Sequence, residues 1–143
     1  MAASKGLAAM KMRAALTLCV LGAFGGTPAL AEEYSFDLRK NHPVALAAWV
    51  KQVPSTYRTS DWVYRLDGTT SPMEEVTMQG RVFYYGSVCK PHDCGGNNVV
   101  FLIADDGSAA YGLLASETLG VKARIFGAPD AEARQLLGDK LAQ

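Results

Sequence analysis

The chain has 143 residues, 49% of them hydrophobic, and its 14 basic and 14 acidic side chains give a formal net charge of zero. Three of the basic residues and none of the acidic ones lie within the first 31 positions, so residues 32–143 carry a net charge of −3. That length suits one domain, and the mild acidity argues against nucleic acid or an anionic membrane as partner, whereas it suits a basic protein.

The N-terminal segment has the three parts of a secretory signal peptide. A positive region is followed by the uncharged apolar stretch from Ala14 to Phe24, and Ala29-Leu30-Ala31 supplies a small-x-small cleavage pattern. The apolar stretch is too short to span a bilayer, which needs about twenty residues. Cys19 is preceded by Leu18, where a lipid-attachment signal needs a small residue. We therefore expect residues 1–31 to be a signal peptide cleaved after Ala31, with no membrane anchor.

Helical and irregular patterns dominate the first part of the mature chain. A helix is predicted from Val44 to Val53, stopped by Pro54, with a buried face formed by Leu46, Trp49, Val50 and Val53. From Ser55 to Thr70 the pattern is irregular, apart from a short strand at Trp62-Val63-Tyr64 and a turn at Asp67-Gly68. Ser71-Pro72-Met73-Glu74 has the spacing of a helix capping box, although little helical pattern follows it.

From Glu75 onward the pattern indicates β-strands joined by short turns. The predicted strands contain Val76 and Met78, Arg81 to Val88, Val99 to Ala104, Tyr111 to Ala115, and Val121 to Ile125. Asp105-Asp106-Gly107-Ser108 is a hairpin turn, and the run before it is apolar on both faces, as in a central strand.

A final helix is expected to begin at Pro129, with Asp130 and Glu132 in its first turn. Its predicted buried stripe consists of Ala133, Leu136, Leu137 and Leu141. The fold class is therefore α+β, a single domain with an antiparallel sheet of about five strands flanked by N- and C-terminal helices.

Two cysteines remain after cleavage, Cys89 and Cys94, and they enclose Lys90, Pro91, His92 and Asp93. An even cysteine count in an exported chain predicts one disulfide, here between Cys89 and Cys94. Closing a six-residue ring stabilises by about 2 kcal/mol on the loop-entropy model. Ordering the four intervening residues costs about 4–8 kcal/mol. Proline also fixes its own φ. The ring and the proline together therefore offset a good part of the entropy cost of ordering these residues, and we predict a pre-shaped loop.

Several other interpretations of this loop are open from composition. It is equally compatible with an exposed hairpin stapled for stability, in which His92 has no special role. A zinc site needs three or four ligands, whereas His42 is the one other histidine and the disulfide consumes both thiols. Thioredoxin-type redox motifs place two residues between the cysteines, and no Gly-x-Ser-x-Gly elbow is present. We predict no catalytic residue, no metal and no cofactor.

The motif Cys89-Lys90-Pro91-His92-Asp93-Cys94, followed by Gly95 and Asn97-Asn98, resembles the signature loop of the Ivy family, periplasmic inhibitors of vertebrate-type lysozyme. The surrounding sequence is similar as well, with Tyr84, Tyr85 and Gly86 before the loop and Tyr111-Gly112-Leu113 after it. Residues 32–70 match only in general character. The resemblance implies a periplasmic lysozyme-inhibitor domain over residues 32–143 that is not an enzyme.

The resemblance also implies a mechanism, in which the loop enters the cleft of c-type lysozyme and His92, the principal inhibitory residue, meets the two catalytic carboxylates. Asp93 is then placed to orient the imidazole or to bond a cleft amide, and Lys90 to meet acidic or carbonyl groups. Two alternatives stay open: control of the cell's own lytic transglycosylases, and an exported enzyme with an unrecognised site. The sequence leaves both a monomer and a homodimer open.

Overall fold

Residues 31–143 are described by the computed structural model of the protein, so the predicted signal peptide lies outside the described residues except for Ala31. The helices are α1 (Leu38–Asn41), α2 (Pro43–Gln52), α3 (Asp61–Tyr64) and α4 (Ala131–Leu141), with short 3-10 turns at Ser35–Asp37 and Ser55–Tyr57. The strands are β1 (Thr69–Thr70), β2 (Glu74–Met78), β3 (Arg81–Cys89), β4 (Asn97–Ala104), β5 (Ala110–Ser116) and β6 (Val121–Phe126).

All the strands belong to one antiparallel sheet of six strands, in the order β1-β3-β4-β5-β6, with β2 also paired to β3. The predicted α+β class with an antiparallel sheet and helices at both ends is confirmed. The strand beyond the expected five is β1, a two-residue strand within the segment expected to be irregular. It exists because Thr69 and Thr70 pair with Cys89 and Val88 at the end of β3.

Strand β4 divides the core into two layers because its successive side chains point to opposite faces. Val99, Phe101 and Ile103 pack with Trp49 of α2 on one face, here called the N-terminal face. Val100, Leu102 and Ala104 pack with Ala133 and Leu137 of α4 on the other face, the C-terminal face. Every residue from Val99 to Ala104 is fully buried, which confirms the expectation of a central strand.

Two glycines allow aromatic rings to lie close to the sheet on the N-terminal face. Gly86 and Gly112 are the partners of Phe101 on the neighbouring strands. A Cβ on Gly112 would lie 2.5 Å from the Trp49 ring, and one on Gly86 would lie 2.7 Å from the Phe101 ring. Trp49 is fully buried, and its indole N–H donates to the carbonyl of Val63 at 2.9 Å. Glycine is thus required here for packing.

The expectation of a short strand at Trp62-Val63-Tyr64 is wrong, because these residues lie in helix α3. The Tyr64 and Arg65 N–H groups donate to the carbonyls of residues four positions earlier, at 2.8 Å each. Trp62 and Val63 are both buried. A strand would direct these adjacent side chains to opposite faces, whereas one helical turn places both in the same core. Tertiary burial overrides their β-propensity.

The capping-box spacing from Ser71 to Glu74 does not begin a helix. Glu74 is the first residue of β2 and pairs with Tyr85, and the pairing continues to Met78 opposite Arg81. Val76 and Met78 alternate with polar residues, as in a strand. Strand β2 pairs with the edge of β3 opposite β4, so the backbone of residues 74–78 makes its hydrogen bonds within the sheet.

The terminal helices correspond to the predictions with small shifts. Helix α2 ends at Gln52, and Ala45 is buried in it beside Trp49, while Leu46 and Val50 are half-buried. Asp130 is the N-cap of α4, where its side chain accepts from the Ala133 N–H at 2.9 Å. Of the predicted stripe on α4, Ala133 and Leu137 are buried and Leu136 and Leu141 half-buried.

Gly112→Ala should lower the free energy of unfolding by about 1–3 kcal/mol, because the added methyl group overlaps the Trp49 ring. Gly138→Ala is the matched control, since its Cβ meets nothing within 4 Å in helix α4 and should stabilise by about 0.5–1 kcal/mol. Urea unfolding of both variants measures the difference. Equal effects of the two substitutions would contradict the packing described for Gly112.

Candidate functional site

The six residues expected to form the site lie together in one ring at the connection between β3 and β4. Cys89 is the last residue of β3 and is joined by a disulfide to Cys94, with a Cα–Cα distance of 4.9 Å. Asn97, three residues after the ring closes, is the first residue of β4. The ring, residues 89–94, is therefore held at one end of the central hairpin of the sheet.

A tight turn from Lys90 to Asp93 fills the ring. The Asp93 N–H donates to the Lys90 carbonyl at 3.0 Å, with Pro91 and His92 as the two central residues. His92 has a φ of +63°, in the left-handed region where histidine is found more readily than most residues. Proline followed by a residue of positive φ is the pattern of a type II turn.

The turn places His92 at its exposed apex. Within residues 31–143, the structure shows no hydrogen bond to the imidazole ring of His92. The sequence predicted a pre-shaped loop, and the structure adds that its backbone presents the histidine outward. Both ring nitrogens are thus available to a partner.

The charged side chains of the ring contact each other and the turn between β5 and β6. Lys90 Nζ lies 3.1 Å from Asp93 Oδ2 and donates to Thr118 Oγ1 at 3.3 Å. The Thr118 hydroxyl in turn donates to Asp93 Oδ2 at 3.3 Å. Lys90 and Asp93 therefore compensate each other's charge beside His92, and the Asp93 carboxylate faces Thr118.

The side chain of Asn97 connects the ring to the rest of the domain. Its amide nitrogen donates to the carbonyls of Asp93 (3.2 Å) and Gly95 (3.3 Å). Its amide oxygen accepts from the Ser116 hydroxyl (2.6 Å) and the Thr118 N–H (3.1 Å). Asn97 is 1% exposed, and these four bonds use both donors and both acceptor positions of the amide. It is the central polar residue of the site.

Sequence reasoning missed this network, although Asn97 belongs to the motif that was recognised. The residues that complete the network, Ser116 and Thr118, lie 19 and 21 positions further along the chain. They meet Asn97 because it pairs with Ser116 in the register of β4 and β5. Only a prediction of that register could have brought them together.

His42, the other histidine, is part of a separate cluster and does not join the ring. Its Nε2 donates to Glu33 at 2.8 Å, and its Nδ1 lies 2.8 Å from the Tyr84 hydroxyl. Asn41 also donates to Glu33, at 2.7 Å. The hydrogen bond from His42, followed by that from Asn41, holds the pKa of Glu33 below its ordinary value. This cluster ties Glu33 to the start of helix α2 and to strand β3.

Two further findings bear on the expected chemistry. Within residues 31–143, no group of three or more histidine, cysteine, aspartate and glutamate side chains is arranged to hold a metal ion. In the same part of the chain, no helix has the length and apolar character needed to cross a membrane.

The fold and the site define an α+β domain that presents a disulfide-closed turn at the end of its central hairpin. The family model described as Inhibitor of vertebrate lysozyme (Ivy) matches residues 45–143, and the chain belongs to this family. The family predicted from the sequence is thereby confirmed.

Three individual relatives are similar to the chain, and one of them carries the same description as the family model. The protein named Inhibitor of vertebrate lysozyme from Pseudomonas aeruginosa is 32% identical over 140 residues, covering 88% of this chain and 91% of the relative. An uncharacterized protein of the same organism is 28% identical over 145 residues, covering 91% and 94%. An uncharacterized protein from Yersinia pestis is 32% identical over 87 residues, covering 61% and 53%.

Asn97→Ala should lower the free energy of unfolding by about 1–3 kcal/mol, because Ser116 and the Thr118 N–H lose a buried partner. Hydrogen exchange at Thr118 should accelerate as well. Asn98→Ala is the control, since it removes one exposed bond, from the Asn98 amide to the Cys94 carbonyl. Urea unfolding and exchange rates compare the two variants, and similar losses would show that Asn97 has no central role.

Proposed function

We propose that residues 32–143, exported to the periplasm after cleavage behind Ala31, inhibit c-type lysozyme and so protect peptidoglycan. The ring enters the active-site cleft as a plug, and the domain itself carries out no reaction. The observation that carries this proposal is the exposed imidazole of His92, which lies at the apex of the turn and has no hydrogen bond within residues 31–143. Membership of a family described as inhibitors of vertebrate lysozyme supports it.

The chemistry of the target suits an imidazole. Lysozyme, a retaining glycosidase, uses one protonated and one ionised carboxyl group set about 5 Å apart across the bound sugar. An imidazole between them can hydrogen-bond to both groups, and an imidazolium adds charge attraction. Because His92 is bound to no other group within residues 31–143, it enters the cleft without breaking an internal contact.

The shape of the ring is fixed before binding, which favours affinity. Ordering a loop on binding costs free energy that a preorganised loop has already lost. In this protein the disulfide, the turn hydrogen bond from Asp93 to Lys90 and the bond from Asn97 to the Asp93 carbonyl hold the backbone of the ring. A second bond from Asn97 holds Gly95, the residue that follows the ring. The net charge of −3 on residues 32–143 also suits a basic enzyme.

Purified residues 32–143 should inhibit c-type lysozyme stoichiometrically in a cell-wall lysis assay, without being consumed. Titration at an enzyme concentration above the dissociation constant should give a sharp equivalence point. A lytic transglycosylase assayed in parallel tests the alternative target. Full lysozyme activity in the presence of a tenfold excess of inhibitor would exclude the proposal.

Replacing His92 should weaken binding by at least about tenfold, because a hydrogen bond to a charged group contributes roughly 1.5–3 kcal/mol. His92→Asn is the suitable variant, since asparagine tolerates the positive φ at this position. Its stability should stay within about 0.5 kcal/mol of the wild type, as for most exposed substitutions.

Gln79→Asn is the matched control for His92→Asn. Gln79 is also exposed and has a positive φ of 50°, but it lies in the turn at the opposite end of β3. Calorimetry measures the affinity of both variants for lysozyme. The comparison separates the loss of the His92 imidazole from a general effect of altering a turn. An unchanged affinity of His92→Asn would leave the ring as a steric plug only.

Opening the ring should weaken inhibition far more than it destabilises the domain. The double variant Cys89→Ser/Cys94→Ser removes a stabilisation of about 2 kcal/mol on the loop-entropy model. The core on both faces of the sheet is untouched by this change. Thermal melting and lysozyme titration of the same preparation compare the two effects, and equal inhibition by the open and closed forms would show that the disulfide has no functional role.

A further inference from the structure

The turn between β5 and β6, residues 117–120, lies beside the ring and is bonded to it at several points. The Glu117 N–H donates to the Gly96 carbonyl at 2.9 Å. Thr118 bonds the Asn97 amide through its N–H and the Asp93 carboxylate through its hydroxyl. These contacts join the turn to the ring at Asp93, to Gly96 just after the ring, and to Asn97, the first residue of β4. The ring and the turn therefore form one continuous surface.

Glu117 carries an exposed carboxylate on that surface. Its side chain packs against Gly96, since a Cβ on Gly96 would come within 2.7 Å of the Glu117 carboxyl carbon. None of the ion pairs found within residues 31–143 includes Glu117. Lys90 and Asp93, by contrast, compensate each other within the ring. Within residues 31–143, Glu117 is thus a negative charge outside any ion pair, beside Gly96, the second residue after the ring.

A shallow depression adjoins the turn on the side of β6. Its lining includes Gly96, Ala115, Glu117, Val121 and Lys122, and its volume is about 580 Å³. The ring connects β3 and β4, and β5 and β6 follow β4 in the sheet, so the depression lies on the β5–β6 side of the ring. A cleft that receives the ring has walls, and the wall on this side must pass over the turn, because Thr118 of the turn is hydrogen-bonded to the ring. The depression adjoins the turn at Glu117 and Gly120.

We infer that the turn at residues 117–120 and the adjoining depression form a second contact region for the same lysozyme, in which Glu117 contacts a cationic group at the rim of the cleft. This inference rests on the proposed function. The partner is the enzyme that binds the ring, because the turn is hydrogen-bonded to the ring and therefore lies close to any protein that binds the ring. A cationic rim group matches the unpaired carboxylate and the overall acidity of residues 32–143.

The test is the kinetics of lysozyme binding by Glu117→Gln and Glu117→Lys. A rim charge acts mainly on the association rate, so Glu117→Lys should slow association by about threefold or more at low ionic strength, and Glu117→Gln by less. The difference from wild type should shrink near 1 M salt, where the screening length is only about 3 Å.

Glu132→Gln and Glu132→Lys are the controls, since they make the same changes in charge on an exposed residue in the first turn of α4. That turn lies at the far end of the sheet, where Asp130 bonds Gln79. Glu132 variants should bind close to wild type. If they slow association as much as the Glu117 variants do, the effect is one of net charge and the inference is wrong.

The remaining outcomes also decide the matter. If wild type inhibits lysozyme but Glu117→Lys binds like wild type, the second contact region is refuted and the proposed function stands. If wild type does not bind lysozyme, both are refuted. Sedimentation of the protein alone covers a third outcome: a change in self-association in the Glu117 variants, with unchanged lysozyme kinetics, would assign the surface to a second copy of this chain and overturn the inference.

Discussion

The shape of the ring depends on one buried amide, the side chain of Asn97. A disulfide over six residues offsets about 2 kcal/mol, which is less than the cost of ordering the four residues inside it. Asn97 supplies what the disulfide lacks, because it bonds the ring backbone on one side and Ser116 and Thr118 on the other. A displacement of this buried amide would break at least one of its four hydrogen bonds. The fold would then be destabilised, because a buried polar group would be left unsatisfied. The exposed turn thereby takes its geometry from the sheet.

The sheet can hold that position because its central strand is buried on both faces. Residues 99–104 of β4 face α2 on one side and α4 on the other, and Gly86 and Gly112 let the aromatic rings of the N-terminal face lie close to the backbone. A shift of one residue between β4 and β5 would turn every β4 side chain to the opposite face. The same shift would separate Asn97 from Ser116. Core packing and the geometry of the ring are therefore consequences of a single register.

The two histidines of the described chain have separate environments and separate roles. His42 is bonded to Glu33 and Tyr84, so it fastens the segment that contains Glu33 to the sheet. His92 is exposed at the apex of a turn whose charged neighbours, Lys90 and Asp93, are paired with each other. Because those two charges compensate each other, the imidazole of His92 and the carboxylate of Glu117 are the exposed groups on which the proposed contacts with lysozyme depend.

The sequence by itself determined the features that neighbouring residues encode. Alternating, β-branched and continuously apolar runs predicted the longer strands to within two residues and the α+β class. The motif from Cys89 to Cys94 predicted the family and a closed, proline-containing loop. Local pattern failed at Trp62-Val63-Tyr64 and at Ser71 to Glu74, where burial and strand pairing override short-range propensity. Only the tertiary structure decided the positive φ of His92, the four bonds of Asn97 and the position of residues 117–120 beside the ring. The physical reason is that the contacts of Asn97 and of residues 117–120 join residues up to 28 positions apart, and the register of the sheet, which sums many weak pairings, decides which of them meet.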